Sequence, residues 1–202
     1  MRALDAVLEL RALPCPISED VRRVIMAAKD VSEAVSGTGE SEALQHVTVN
    51  IGRLEGGTAV NIIPDQAKAL ADIRFPPGLT LRDLHRALAD RLDDLPGITW
   101  RVLSGCEATV TDPAHEIVRL TARNAAAITS GSAVVNMRVG FSDARFYRLA
   151  DVPSVVYGPA PHNMGGPDEY VTIDDLFAVF YVHAMTAFDF LSKPPGHTDC
   201  AN

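Results

Sequence analysis

Cysteine is scarce in this chain: Cys15, Cys106 and Cys200 are odd in number and far apart. Neither a disulfide framework nor a C-x-x-C metal site is available. Positive charge is also in deficit. Lys and Arg number 18 against 26 Asp and Glu, for a net charge of −8, which disfavours nucleic acid and anionic membrane surfaces as partners. No apolar run approaches the ~18 residues of a membrane span, and the N-terminus has no apolar core of signal-peptide length, so the expected setting is soluble and cytoplasmic. Repeats and low-complexity segments are missing, and Glu-Glu occurs nowhere. What remains is ordinary for a globular protein. The 202 residues are 47% apolar and 22% charged, enough for one domain or two small ones with a real core.

Taken in order, Leu4, Val7, Leu8 and Leu10 stand at helical spacing between Arg2 and Leu13, and Pro14 and Pro16 end that helix. Ser18 can cap a second helix with Val21, Val24, Ile25 and Ala28 on one stripe, running at least to Asp30. Residues 36–42, SGTGESE, read as an exposed loop. Period two then takes over: Val47, Val49 and Ile51 alternate with polar residues, and Lys68 to Phe75 alternates again. Thr80 with Asp83 forms a capping box before Leu81, Leu84, Leu88 and Leu92, and Ile98 to Leu103 reads as a further strand. Residues 1–105 therefore read as an α+β sandwich, an antiparallel sheet with helices on one face that lacks its first strand.

After Gly105 the pattern changes. Asp112-Pro113 starts an Ala-rich helix to about Ile128. Ser132–Met137 reads as a short apolar strand and Ser154–Tyr157 as a second, uniformly apolar in the way of buried parallel strands. Ser142 can cap a helix through Leu149. Thr172 with Asp175 opens a long helix with Leu176, Val179, Phe180, His183, Ala187, Phe188 and Leu191 inward. Residues 106–202 read as part of a parallel α/β layer that also lacks its beginning, with a frayed tail after Pro194.

The chemistry concentrates between Gly140 and Leu176, where a polar turn with Ser142 and Asp143 and a Gly/Pro-rich loop with His162, Asp168 and Glu169 follow strand ends. The alternative is that these groups only cap helices. Asp168 and Glu169 are adjacent, so they point apart, which suits capping better than acid–base pairing. His183 reads as a core residue, and His46, His85 and His115 as exposed ones.

Three segments carry a family resemblance. GGTAVNIIPDQAKALADIRFPPG (Gly56–Gly78), GFSDARF (Gly140–Phe146) and YGPAPHNMGGPDEYVTIDDL (Tyr157–Leu176) resemble, in order and spacing, the lid (dimerisation) hairpin, the Gly-x-Ser-Asp turn and the final active-site loop of the co-catalytic zinc amidohydrolases. That family includes aminoacylase, glutamate carboxypeptidase, acetylornithine deacetylase and succinyl-diaminopimelate desuccinylase. The resemblance implies a C-terminal part: a lid-like domain over 1–105 and a portion of the catalytic domain over 106–202. It implies that Asn61 and Arg74 hold a substrate carboxylate or carbonyl, usually across a dimer, and that Ser142 and Asp143 contact substrate. Arg offers a planar fork for carboxylate and Asn an amide pair. The alternatives are a sheet-edge salt bridge for Arg74 and a turn role for Asn61.

The resemblance also implies zinc, and here the sequence departs from the family. The early His-x-Asp, the bridging Asp and the Glu-Glu pair are absent. The His-x-Asp of His197-Thr198-Asp199 lies in the tail. The position of the family's last histidine ligand is Gly165, with His162 nearby as the one metal ligand the chain could offer. One His and scattered carboxylates do not reach the three or four ligands that zinc requires. Three readings follow. The first is a fragment or subunit of a metal-dependent amidohydrolase for N-acyl amino acids or dipeptides, inactive alone and binding no zinc alone, whose complementary N-terminal chain supplies the metals. The second is a non-catalytic dimerisation module, and the third a carboxylate binder. An unpaired sheet edge beside the helix from Thr80 leads to the expectation of a homodimer through the lid-like half.

Overall fold

The computed structural model describes residues 2–131 and 133–192. Met1, Ser132 and residues 193–202 lie outside it, and with them the expected start of the 132–137 strand, the tail, His197-Thr198-Asp199 and Cys200.

The chain begins with α1 (Arg2–Leu8), which tightens into a 3-10 turn over Glu9–Ala12, followed by α2 (Glu19–Ala27), α3 (Lys29–Ser36) and α4 (Glu40–Ala43). Strands β1 (Thr48–Gly56) and β2 (Ala67–Arg74) pair antiparallel, from Thr48 opposite Arg74 to Gly56 opposite Ala67, with a register irregularity between Ile51 and Arg53. Helix α5 (Leu81–Leu92) follows, then α6 (Glu116–Thr129), α7 (Ala144–Leu149) and α8 (Ile173–Leu191).

A single core organises the first part. Leu10, Val47, Val49, Leu84, Ala87, Leu88 and Leu92 are buried together, flanked by Ile73, Phe75 and Trp100. Period two on β1 and the i, i+3, i+4 spacing on α5 both follow from this packing. Each buried Leu contributes about 1.5–3 kcal/mol relative to exposure. The start of α5 is fixed by its capping box: the Asp83 N–H donates to Thr80 Oγ1 at 3.1 Å and the Thr80 N–H to Asp83 Oδ2 at 3.1 Å. The Thr80 hydroxyl, which donates to Asp83 Oδ2 at 2.7 Å, and then the Thr80 N–H hold the Asp83 carboxyl below the usual carboxylate range.

Helices α6 and α8 pack on each other, and Val118, Leu120, Ala125 and Val182 are their buried apolar residues. Their contact includes a polar group: Asn124 Nδ2 donates to Asp189 Oδ2 at 2.9 Å and to Thr186 Oγ1 at 3.3 Å, and Arg123 Nη2 lies 2.6 Å from Asp189 Oδ2.

Several expectations are corrected. Ser18 caps α2 through the Val21 N–H at 3.4 Å, but that helix stops at Ala27, and α3 starts afresh beyond Ala28. Only residues 37–39 of the 36–42 stretch form a connection, with Gly37 and Thr38 exposed, because Glu40 and Ser41 open α4 and Ser41 is buried. Asp112 does not start α6. Its Oδ1 and carbonyl close a turn with Ala114 and His115, and His115 Nδ1 caps the helix through the Ile117 N–H at 3.2 Å. His115 is therefore half-buried and engaged rather than exposed. Helix α7 starts with Asp143 as N-cap and no side-chain cap, so Ser142 does not play that part.

The stretches 98–103, 133–137 and 154–157 join no ladder. A strand needs a neighbour for its N–H and C=O groups, and among the described residues none is aligned with them. A side chain makes the nearest link: Thr111 Oγ1 donates to the Ser154 carbonyl at 2.6 Å and accepts the Ser154 N–H at 3.0 Å. On α8 the buried stripe carries Val182 and Thr186, not the predicted set. Leu176, Phe180, Phe188 and Leu191 are more than half exposed, because α6 covers one side of a helix that is apolar all round. His183 is exposed too, with Nε2 3.0 Å from the Tyr157 carbonyl oxygen.

Candidate functional site

Arg74 ends β2 with its side chain about half exposed. Its Nε donates to Asp72 Oδ2 at 2.8 Å and its Nη1 to the Val139 carbonyl at 3.2 Å. The sheet-edge ion pair is thus present, and the guanidinium also reaches the segment that leads into the Gly140–Asp143 turn. Asn61 lies in the exposed 57–66 connection between β1 and β2, beside Val60, Ile62 and Ile63, which are largely solvated.

The turn itself is held by a residue that spacing did not single out. The Arg145 guanidinium lies over the Phe141 ring at 4.0 Å and the Phe146 ring at 4.1 Å. Its Nη1 donates to the Ser142 carbonyl at 3.0 Å and sits 3.4 Å from Asp143 Oδ1. Stacked between rings and bonded to both turn residues, Arg145 locks the conformation of Ser142 and Asp143. Only its place two residues after Asp143 in GFSDARF could have drawn notice. Arg148, one helical turn on, donates from Nε to Thr109 Oγ1 at 3.0 Å and from Nη1 to the Ser154 carbonyl at 3.1 Å. Desolvation pushes its pKa down.

His162 belongs to a closed loop. Its ring stacks on Tyr170 with centroids 4.5 Å apart and 6° between planes, and the Tyr170 N–H donates to the His162 carbonyl at 3.3 Å. Within the loop the Gly165 N–H donates to Glu169 Oε2 at 3.2 Å, and Asn163 and Asp168 adopt left-handed backbone. Glu169 therefore braces its own loop.

Arg74, Arg138, Ser142 and Arg145 line one open cleft of about 2690 Å³, together with the 98–111, 133–139 and 154–160 stretches. Asn61, Asp143 and His162 are not on its wall. Ligand pockets measure roughly 300–1,000 Å³, so this space is a gap between unpaired chain segments rather than a pocket for one small molecule. Among the described residues no group of three or more His, Cys, Asp or Glu comes together to hold a metal ion. These residues do not by themselves fit a zinc centre.

Residues 1–99 match the family model for the peptidase dimerisation domain of the M20 group. Over 184 residues the chain is 30% identical to a succinyl-diaminopimelate desuccinylase of Gluconacetobacter diazotrophicus, covering 86% of this chain and 45% of that protein. The chain belongs to the M20 peptidase family. A second desuccinylase, from Granulibacter bethesdensis, is 34% identical over 145 residues, 68% of this chain and 37% of its own length. The fold agrees with an M20 metallo-carboxypeptidase of Sulfolobus solfataricus at a TM-score of 0.67 and 16% identity, over 91% of this chain and 51% of that one. The chain thus spans less than half the length of these two curated M20 relatives. No helix among the described residues is long and apolar enough to cross a membrane.

Proposed function

We propose that this chain is a C-terminal portion or subunit of a cytoplasmic, metal-dependent M20 amidohydrolase acting on N-acyl amino acids or dipeptides. Residues 1–105 act as its lid and dimerisation domain, and 106–202 complete part of its catalytic α/β layer. The observation that supports this reading is that the Arg74 guanidinium, from the lid-like hairpin, donates to the Val139 carbonyl at 3.2 Å, at the entry to the Gly-x-Ser-Asp turn.

In this reading Arg74 grips the substrate carboxylate. Its bonds to Asp72 and Val139 orient the fork and leave further N–H donors for a ligand. Asn61 takes the adjacent carbonyl from a second copy of the chain, and Ser142 shapes the floor, with Asp143 supporting it from behind through Arg145. His162 is the one metal ligand contributed. The remaining ligands, and the strands that pair with 133–137 and 154–157, come from other residues of the complete enzyme. Metals held by the complete enzyme would supply the activated water. This chain's residues bind and orient the substrate, and alone they hydrolyse nothing, since no side chain here generates hydroxide at neutral pH without further ligands.

The test is reconstitution. Co-expression with an M20 N-terminal portion that carries the metal ligands should yield a zinc-loaded homodimer with amidase activity. In that complex Arg74→Ala should weaken substrate binding about 30- to 150-fold, the equivalent of ~2–3 kcal/mol for a lost charge-assisted contact. Zinc-dependent amidase activity from the 202-residue chain alone would sink the proposal. The Asp72–Arg74 ion pair favours a second reading, a dimerisation module without chemistry. That reading predicts a stable dimer which gains neither zinc nor activity in the same experiment.

A further inference from the structure

Glu40 is a buried acid with no place in the reading above. Its side chain is 9% exposed, at the first residue of α4, where the preceding Gly39 adopts left-handed backbone. One carboxylate oxygen accepts a hydrogen bond from the buried Ser32 hydroxyl of α3. The other lies 3.3 Å from Nε of Arg138, a residue about a hundred positions later in the chain. Taking a carboxylate out of water is costly unless a cation and hydrogen bonds replace the solvent. Ser32 alone leaves the charge uncompensated, so Arg138 is what makes the burial tolerable.

Arg138 and Val139 are consecutive residues, and each is held from the first part of the chain by a different element. Glu40 of α4 takes the Arg138 side chain, and Arg74 of β2 takes the Val139 carbonyl. The Gly140–Asp143 turn begins at the next residue. Its carbonyls start α7: the Arg145 N–H donates to the Ser142 carbonyl at 3.2 Å and the Phe146 N–H to the Asp143 carbonyl at 3.0 Å. No strand ladder holds 133–139, so these two grips are what anchor the segment entering the turn.

We propose that Glu40 and Arg138 form a charge clasp that positions the Gly140–Asp143 turn against the first part of the chain. Arg138 is a positioning residue that acts through the turn. Its link to catalysis rests on the proposed function, but the clasp itself does not, because it is measured without metal or substrate. Hydrogen exchange on the 202-residue chain provides the measurement.

In Arg138→Met, which leaves the buried acid without its cation, the Arg145 and Phe146 amides should exchange about tenfold faster. The α6 amides from Val118 to Ala125 and those of the β1–β2 ladder should keep their rates. Glu40→Gln is the gentler variant should Arg138→Met not fold, and it should act in the same direction. The exchanged pair Glu40→Arg with Arg138→Glu should restore protection, which a general packing defect at either site would not do. Unchanged turn amides in both single variants would overturn the clasp. So would uniform acceleration across the whole molecule, or a reversed pair that fails to recover.

Discussion

The part of the chain up to Trp100 and the part after it solve the same problem to different extents. In the first, α1, β1 and α5 close around Leu10, Val47, Val49, Leu84, Leu88 and Leu92, and most of the apolar periodicity ends inside. In the second, α6 and α8 share one seam, while Phe177, Phe180, Phe188 and Leu191 of α8 and Phe146, Tyr147 and Leu149 of α7 stay half exposed or more. Large apolar side chains left exposed along α8 are what a covering partner would bury. A hydrophobic helix is therefore no guarantee of a core. The core exists where a second element supplies the opposite face.

Cutting into the first core gives the largest effect. Leu88→Ala, 7% exposed among Leu84, Leu92 and Val49, should cost about 2–5 kcal/mol through lost burial and a residual cavity, read by denaturant unfolding followed at Trp100. If it cost no more than a surface change, the contrast between the parts would collapse.

The α6–α8 seam comes next. Asn124→Ala removes two hydrogen bonds in a buried setting, and the expected loss is about 1–2 kcal/mol. Asn124, and then Arg123, hold the Asp189 carboxyl below the usual carboxylate range. A depressed folded value means that this stabilisation is full above the ordinary carboxylate range and is lost as pH falls through the lower, folded value. Unfolding of α6 and α8 should therefore be acid-sensitive in the parent chain and less so in Asn124→Ala. An unaltered acid limb in circular dichroism would refute that coupling.

Removing the α5 cap with Thr80→Ala should cost on the order of 1 kcal/mol, a loss visible in the thermal midpoint. Smallest of all, Phe180→Ala on α8, 61% exposed, should change stability by no more than about 0.5 kcal/mol. It should lower the binding of an apolar dye instead. A multi-kcal/mol loss at Phe180 would mean that α8 is packed in solution.

Legibility in the sequence follows the same divide. The hairpin, the α5 capping box and the Leu stripe that follows it were readable because each depends on neighbours within a few residues. The 98–103, 133–137 and 154–157 stretches look like strands because they are apolar and bounded by turns. Their pairing depends on another segment alongside, which a local pattern cannot supply. For the candidate site, motifs singled out Ser142, Asp143 and Arg74, as they did Asn61 and His162, but not Arg138 or Arg145, which clamps that turn through two aromatic rings. Glu40 was read as part of an exposed loop because GTGESE is polar, yet long-range contact with Ser32 and Arg138 buries it.

By itself the sequence determined the family, through three segments whose order and spacing are a chain property, and the amphipathic elements of the first part, through periods of 2 and 3.6. It also determined a net charge of −8 and the lack of any Glu-Glu pair. Only the tertiary structure decided that Arg74 is tied to Asp72 and Val139 and that His162 is stacked on Tyr170. The same holds for which face of α8 finds a partner and which acid is buried. The physical reason is that burial and ion pairing are set by what residues far apart in sequence bring into contact. Composition states which groups are available, and contact decides which of them are desolvated and paired.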